Sequence, residues 1–360
     1  MKPPDTTRTR QHNRLRLGLR LGLLAAALLG GCTFQPAPRS PRPTLPLPAW
    51  TSSTPPLEQP RLEELRDHGS GSITGRLTGN GETVRFRVRR QDREAAPRAL
   101  VLLVPILAGG EELMDQVAQN MSGRGFDVAY CARVGSALKQ PQRTRDLDEL
   151  FRRTVLHQRL LLAWLRGPEN QPPPATFALG LSMGGMVTTV LAALEPDIAG
   201  IAICLSGGDL ASLVLSSSEG RVQSWVDWRF LADGIGPDGL QWELEQCLRH
   251  EPLAFATCIP TEKVLFVGAS FDTVVPGRNQ DLLWEALGRP ARMQVPLGHY
   301  SAALAIDQVL ATAAAHFKAL LPDRADLAVR ADTAGARPGV GTALGTSPGR
   351  HAGFDRVRRM

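Results

Sequence analysis

Thr176-Phe177-Ala178-Leu179-Gly180-Leu181-Ser182-Met183-Gly184-Gly185-Met186 is an apolar run that breaks on a serine held between glycines. The run has the length of a buried strand, and the small-residue segment Val187 to Leu194 that follows reads as a helix. Ser182 therefore stands on a tight turn. Glycines two residues before and after it leave room for strand and helix to pass, so the hydroxyl is pushed out over the sheet edge. The turn also aims the Met183 N–H, at the helix N-terminus, to where negative charge would form beside Ser182. The Gly-x-Ser-x-Gly spacing alone is weak evidence in a chain with 35 glycines, because a strand-to-helix turn with a capping serine gives the same pattern.

Two later loops add what that spacing lacks. Lys263-Val264-Leu265-Phe266-Val267-Gly268 reads as a fully buried strand, and it exits into Ala269-Ser270-Phe271-Asp272-Thr273, a polar loop with one carboxylate. Arg292-Met293-Gln294-Val295-Pro296 is a further short strand, and its exit loop is Leu297-Gly298-His299-Tyr300-Ser301. A serine, an aspartate and a histidine thus follow in that order, each at the carboxyl end of a predicted strand.

With these residues, the chain resembles the α/β-hydrolase superfamily over roughly Gly71 to Leu321, and the serine turn is similar to its nucleophile elbow. The resemblance implies an α/β fold with a central, mostly parallel sheet flanked by helices. It implies Ser182 as nucleophile, His299 as general base and then acid, and Asp272 as the carboxylate that orients the imidazole. Asp209, in the loop Leu205-Ser206-Gly207-Gly208-Asp209, is a rival for the acid, because some members place it there; its other reading is a helix N-cap. His157, on a predicted helix, and His250, in a polar loop, have no such strand-end setting and read as solvent-facing or packing residues. The third strand, Ala99 to Val104, leads into Pro105-Ile106-Leu107-Ala108-Gly109-Gly110 where many relatives have His-Gly. The second oxyanion donor is then the backbone N–H of Ile106 or Leu107, beside that of Met183.

In the superfamily, the stretch between the sixth and seventh strands commonly carries a cap. Here it runs from about Asp209 to Glu262 and contains helical patterns at Arg221 to Ala232 and Gly239 to Arg249. Trp225, Trp228, Phe230 and Trp242 would form an apolar ceiling over a substrate, or would pack the cap onto the body, as aromatics at helical spacing usually do. Cys247 and Cys258 both fall in this stretch and could pair, whereas Cys131 and Cys204, on strands that the superfamily's sheet order separates, are expected buried and free.

The ends differ from the middle. Arg8, Arg10, Arg14, Arg16 and Arg20 precede the apolar run Leu21 to Leu29, which closes on Leu29-Gly30-Gly31-Cys32. Residues 1–31 have the layout of a secretory signal, and the run is too short to span a bilayer. The cysteine resembles that of a bacterial lipoprotein, which implies diacylation at Cys32, a lipid anchor, and with Thr33 next to it an outer-membrane destination in a Gram-negative cell. Residues 32–68 hold many prolines and read as an extended tether ahead of a 69–321 catalytic domain. Residues 322–360 lack apolar periodicity and read as disordered.

Charge and cofactor signals are consistent with that division. Residues 1–31 hold six basic and one acidic side chain and residues 322–360 seven and four, so of the net +6 the remaining body is about −2. That excludes nucleic acid as the body's expected partner. No Cys-x-x-Cys pair and no Gly-x-Gly-x-x-Gly after a strand occurs, so no metal or dinucleotide cofactor is expected. The whole reads as an exported, membrane-anchored serine hydrolase of small or lipid-like esters. An acyltransferase, for which Ser182-Met183-Gly184-Gly185-Met186 is similar to the homoserine acetyltransferase elbow, a serine peptidase, and a non-catalytic binding lipoprotein are the alternatives.

Overall fold

The structure is a computed structural model that describes residues 31–38, 42–53, 55–69, 71–90, 98–106, 111–135, 138–167, 170 and 172–321. Residues 1–30, with most of the signal, and the tail 322–360 lie outside the described residues.

Ten strands form one sheet. In chain order they are β1 (Thr33–Gln35), β2 (Arg61–Asp67), β3 (Ser72–Gly79), β4 (Glu82–Arg89), β5 (Leu100–Val104), β6 (Asp127–Cys131), β7 (Thr176–Leu181), β8 (Gly200–Cys204), β9 (Val264–Ala269) and β10 (Ala291–Val295). Across the sheet the order is β1-β10-β9-β8-β7-β5-β6-β4-β3-β2. The six strands β6, β5, β7, β8, β9 and β10 run parallel; β4, β3 and β2 continue one side antiparallel, and β1 pairs antiparallel with β10 on the other.

The pattern follows from composition. β5, β7, β8 and β9 are buried at every residue, the signature of parallel strands covered on both faces. β4 instead alternates, with Val84, Phe86 and Val88 turned inward. It joins β3 through Asn80 and Gly81, both at positive φ, the turn whose twist suits a two-residue hairpin.

Nine helices are described: α1 (Glu111–Gly123), α2 (Thr144–Leu165), α3 (Met183–Leu194), α4 (Leu210–Ser216), α5 (Gly220–Asp233), α6 (Pro237–Cys247), α7 (Pro252–Ala256), α8 (Gly277–Ala286) and α9 (Ile306–Ala319). The sheet separates two apolar cores. One contains buried residues of α2, α3 and α4 to α8; the other lies under α1 and α9, where Phe126, Phe177 and Phe317 meet and the last two stack at 4.7 Å. The four helices α4 to α7 fill the connection between β8 and β9. Two of them match the helical patterns expected there, and the strand count rises by two because β1 and β2 join the sheet.

Those two strands mark a difference from the expected free tether. Thr33–Gln35 and Arg61–Asp67 contain no proline, so each can pair at a sheet edge, and both do. Between them, Arg42 Nη2 donates to the Ala256 carbonyl at 2.9 Å and the Leu45 amide to that of Thr257 at 2.9 Å. Trp50 stands edge-on to His250 and Phe255. Apart from a short 3-10 turn at Ala49–Ser53, the described residues between the two strands form neither helix nor strand, and these contacts hold them along the body. Among the described residues, no helix is long and apolar enough to cross a membrane.

Candidate active site

Ser182 sits between the end of β7 and the start of α3 with φ 54° and ψ −126°, a strained conformation for a non-glycine residue. Its neighbours permit it. A Cβ on Gly180 would lie 2.1 Å from the Gly184 carbonyl oxygen, and one on Gly184 would lie 2.5 Å from that of Val104, so the crossing of strand, helix and the end of β5 admits no side chain at either position. Strain at a seryl turn persists only when the surroundings hold it. Here the Ser182 amide donates to the Cys204 carbonyl at 2.8 Å, and the Ser206 hydroxyl donates to the Ser182 carbonyl. No sequence signal singles out Ser206 for this role.

The three strand-end loops converge. His299 Nε2 is 3.0 Å from Ser182 Oγ, and His299 Nδ1 is 2.7 Å from Asp272 Oδ2. The Asp272 side chain is fully buried, and its other oxygen accepts the amides of Val274 at 2.9 Å and Val275 at 2.8 Å. A carboxylate held by two amides and an imidazole has one free choice left, to accept from Nδ1–H. That leaves a lone pair on Nε2 facing the seryl hydroxyl, so the imidazole can take the proton when Oγ attacks.

Asp209 is placed elsewhere. Its backbone has φ 57°, its Oδ1 accepts the Ser212 amide at 3.2 Å, and it caps α4. Of the two carboxylates considered for the acid, Asp272 makes the hydrogen bond to His299. Glu251 holds the same corner: it accepts the amides of Asp209, Leu210 and Leu253 at 2.9, 2.7 and 3.1 Å, while burial pushes its carboxyl above the usual range.

For an oxyanion, Met183 is the first residue of α3, where an amide has no intrahelical acceptor, and Ile106 follows β5 on the wall of the same cavity. Leu107 lies outside the described residues. Cys32 is described: it is half-buried before β1, and its thiol approaches Gln308 Oε1 of α9 at 3.4 Å. No group of three or more His, Cys, Asp or Glu that could hold a metal occurs among the described residues.

A cavity of about 390 Å³ opens over Ser182 and His299, within the range of ligand pockets. Its walls are mostly aliphatic, with Phe151 and Tyr300 as aromatics and Gln116, Asn120, Ser217 and Glu219 as polar side chains. Trp225, Trp228, Phe230 and Trp242 contribute nothing to the walls, so of the two readings of these aromatics the ceiling is the one the structure contradicts. Trp225 is buried and donates from Nε1 to the Gln142 carbonyl at 2.9 Å, Trp228 lies beneath the Arg143 guanidinium, Phe230 packs on the core, and Trp242 is 65% exposed. The ceiling comes from Leu213 and Val214 of α4 and Val222 of α5. At the rim, the Tyr300 hydroxyl donates to Glu219, a bond that pushes the phenol up to about 12 and joins the histidine loop to the start of α5.

The two other histidines considered pack into the fold. His157 is buried with Nε2 3.1 Å from Glu82, and His250 is buried with Nδ1 3.0 Å from Asp148, so neither faces solvent. All five cysteines are free, Cys247 and Cys258 included; Cys131 and Cys204 are buried. The Cys258 thiol donates to the Pro46 carbonyl instead.

No family model and no curated protein sequence matches the chain. Solved structures do match it in fold. Acetyl xylan esterase 1 from Thermoanaerobacterium sp. JW/SL YS485 is similar at 17% identity and a TM-score of 0.53, over 74% of this chain and 94% of that one. The 2,6-dihydroxy-pseudo-oxynicotine hydrolase is similar at 16% identity and 0.52, over 69% and 68%. A puromycin-hydrolyzing peptidase of Mycobacterium tuberculosis gives 16% and 0.50, over 71% of this chain and 47% of that one. With its sheet order and flanking helices, the chain has the α/β-hydrolase fold. The three names span different bonds, so fold alone does not choose among them.

Proposed function

We propose that the protein is a serine hydrolase that cleaves carboxylic esters through an acyl-enzyme. The observation that carries this is the chain of contacts from Ser182 Oγ through the His299 ring to buried Asp272, at 3.0 and 2.7 Å, at the floor of an apolar cavity. In the first step Ser182 Oγ attacks the ester carbonyl as its proton passes to His299 Nε2, and the Asp272 carboxylate stabilises the imidazolium. The amides of Met183 and Ile106 hold the oxyanion, and His299 returns its proton to the leaving alcohol. In the second step water, deprotonated by His299, attacks the acyl-enzyme and releases the acid and free Ser182.

An ester suits this cavity better than a peptide, because the amide groups flanking a peptide bond would need polar partners, and Gln116, Asn120, Ser217 and Glu219 are few among apolar walls. That an acetyl xylan esterase is built on the same fold supports the reading. The test is a fluorophosphonate, which phosphonylates activated serines, followed by mass spectrometry. One adduct on Ser182 that disappears in His299→Ala is expected; a folded wild-type protein that takes no adduct overturns the proposal.

The protein is further proposed to be exported and anchored in the bacterial envelope through lipid on Cys32. The arginine-flanked apolar run that ends in Leu29-Gly30-Gly31-Cys32 supports this. Metabolic labelling with an alkyne fatty acid should mark the wild-type chain and leave Cys32→Ser unmarked; equal labelling of both would refute it.

A further inference from the structure

The cavity over Ser182 is not confined to one side of the sheet. Leu113 and Val117 of α1, with Ile306, Val309 and Leu310 of α9, line it on one side, and these residues belong to the core beneath α1 and α9. Leu147 and Phe151 of α2, with Leu213, Val214 and Val222 of the β8–β9 connection, line it on the other, and these belong to the opposite core. Between the two groups lie the strand ends Leu181, Cys204 and Val267, and Ser182 with His299. The nucleophile therefore sits on a saddle between two apolar lobes.

An ester carbonyl placed on Ser182 sends its acyl and alcohol groups in different directions, and here each direction meets a mostly apolar wall. Glu219 is the only carboxylate or cation in the wall among the described residues, and its oxygen is taken by Tyr300 at the rim. A charged group sent into either lobe would lose its hydration for few partners, since the uncharged polar side chains of the wall are Gln116 and Asn120 of α1, Ser217, and Ser182 itself, set among a majority of apolar ones. We propose, on the basis of the serine hydrolase reading above, that the substrate is an ester with an apolar chain on both sides of the scissile bond, one chain in each lobe. At ~30 Å³ for a water-sized group, 390 Å³ admits about a dozen such groups, so the two chains together are of medium length.

The test measures ester hydrolysis by pH-stat, below the solubility limit, along two series: ethyl esters of acids from acetic to octanoic, and butanoate esters of alcohols from methanol to octanol. Burying a methylene is worth a factor of about four, so kcat/KM should rise about threefold to fourfold per carbon over the first three or four carbons of both series, then flatten. Val214→Trp fills one lobe and Ile306→Trp the other. Each should abolish the gain in one series and leave the other rising. A fluorophosphonate with a short alkyl group, applied to wild type and both variants, separates the levels of failure. No adduct on wild-type Ser182 sinks the hydrolase reading itself. An adduct with one series flat in the wild type, or with both variants acting on the same series, sinks the two-lobe inference alone. If a tryptophan variant is not labelled because it does not fold, Val214→Leu or Ile306→Phe replaces it and must lower the gain in its own series at least twofold.

Discussion

Asp272→Asn is the sharpest test of the site, because the structure fixes which way the new amide must face. Asp272 Oδ1 accepts two amides, from Val274 and Val275, and Oδ2 accepts from His299 Nδ1. If the asparagine turned its NH2 toward the two amides, two buried donors would face a donor, at about 1–3 kcal/mol each. The side-chain oxygen must stay with Val274 and Val275, so the NH2 points at His299 Nδ1. Nδ1 then becomes an acceptor, the ring proton moves to Nε2, and Nε2 donates to Ser182 Oγ when it should accept from it. The imidazole is in place and in the wrong tautomer. For a base so disabled the loss in kcat is about ten-thousand-fold, or about 5 kcal/mol of transition-state stabilisation. Stability should fall by no more than about 2 kcal/mol, since every hydrogen bond around the side chain is kept and only its charge is lost. The assay is kcat on a butanoate ester, with ¹⁵N NMR of His299 to read the tautomer: protonated at Nδ1 in the wild type, at Nε2 in the variant. An asparagine variant that keeps more than a tenth of the wild-type kcat, or whose imidazole stays protonated at Nδ1, would refute the reasoning.

Gly184→Ala places a Cβ 2.5 Å from the Val104 carbonyl, a backbone atom that cannot move aside, so urea unfolding should show a loss of about 3 kcal/mol or more, and a wild-type midpoint would contradict the packing described for the turn. Trp242→Ala should change neither the ester chain-length profile nor stability by more than about 0.5 kcal/mol, since the side chain is 65% exposed and off the cavity wall; a changed profile would restore the aromatic ceiling. Stability should fall in acid from two groups. The hydrogen bond from Arg153 holds Glu82 down at about 2, so its contribution is complete above the unfolded value of 4.5, is lost as pH falls toward 2, and after solvent screening of the partly exposed pair amounts to about 1 kcal/mol. Burial keeps His157 below its ordinary value, so the stability it gives as a neutral ring is lost as pH falls below about 6.5. Urea midpoints from pH 8 to 3 should drop less for Glu82→Gln than for wild type; parallel curves would remove Glu82 from the account.

The parallel core of the sheet was legible because its strands are unbroken apolar runs, and a strand buried on both faces has no polar residue to confuse its period. The loops that hold Ser182, Asp272 and His299 were legible for a related reason: each is the first polar residue pattern after such a run, and in an open α/β sheet the strand ends all face one edge. The extended segment from Thr33 to Asp67 was not, since its prolines determine backbone shape and say nothing of what lies beside it. Its docking rests on contacts far apart in the chain, such as Arg42 with the Ala256 carbonyl and Trp50 with Phe255. Glu219 and Ser206 were equally hidden, because a glutamate before a helix and a serine in a glycine-rich loop have many local uses.

The cap aromatics show where periodicity stops being informative. Val222, Trp225, Val226 and Arg229 are the buried residues of α5, spaced three, four and seven residues from the first, so the helix has one inward stripe as its sequence suggests. A stripe reveals that a face is covered but not by what, and here a charge on the stripe decides it. Arg229 is 2% exposed, and its guanidinium donates to Asp233 of its own helix, to Glu243 of α6 and to Thr144 Oγ1 at the start of α2, while Trp225 lies against its face. A buried guanidinium needs all those partners, and the two off its own helix lie at the start of α2 and on α6. The stripe must therefore turn Trp225 and Arg229 toward α2 and α6, so that of these four residues only Val222, one turn nearer the start of the helix, reaches the cavity. Trp225 and Arg229 hold α5 against its neighbours, and the aliphatic residues of α4 and the start of α5 are left to line the cavity.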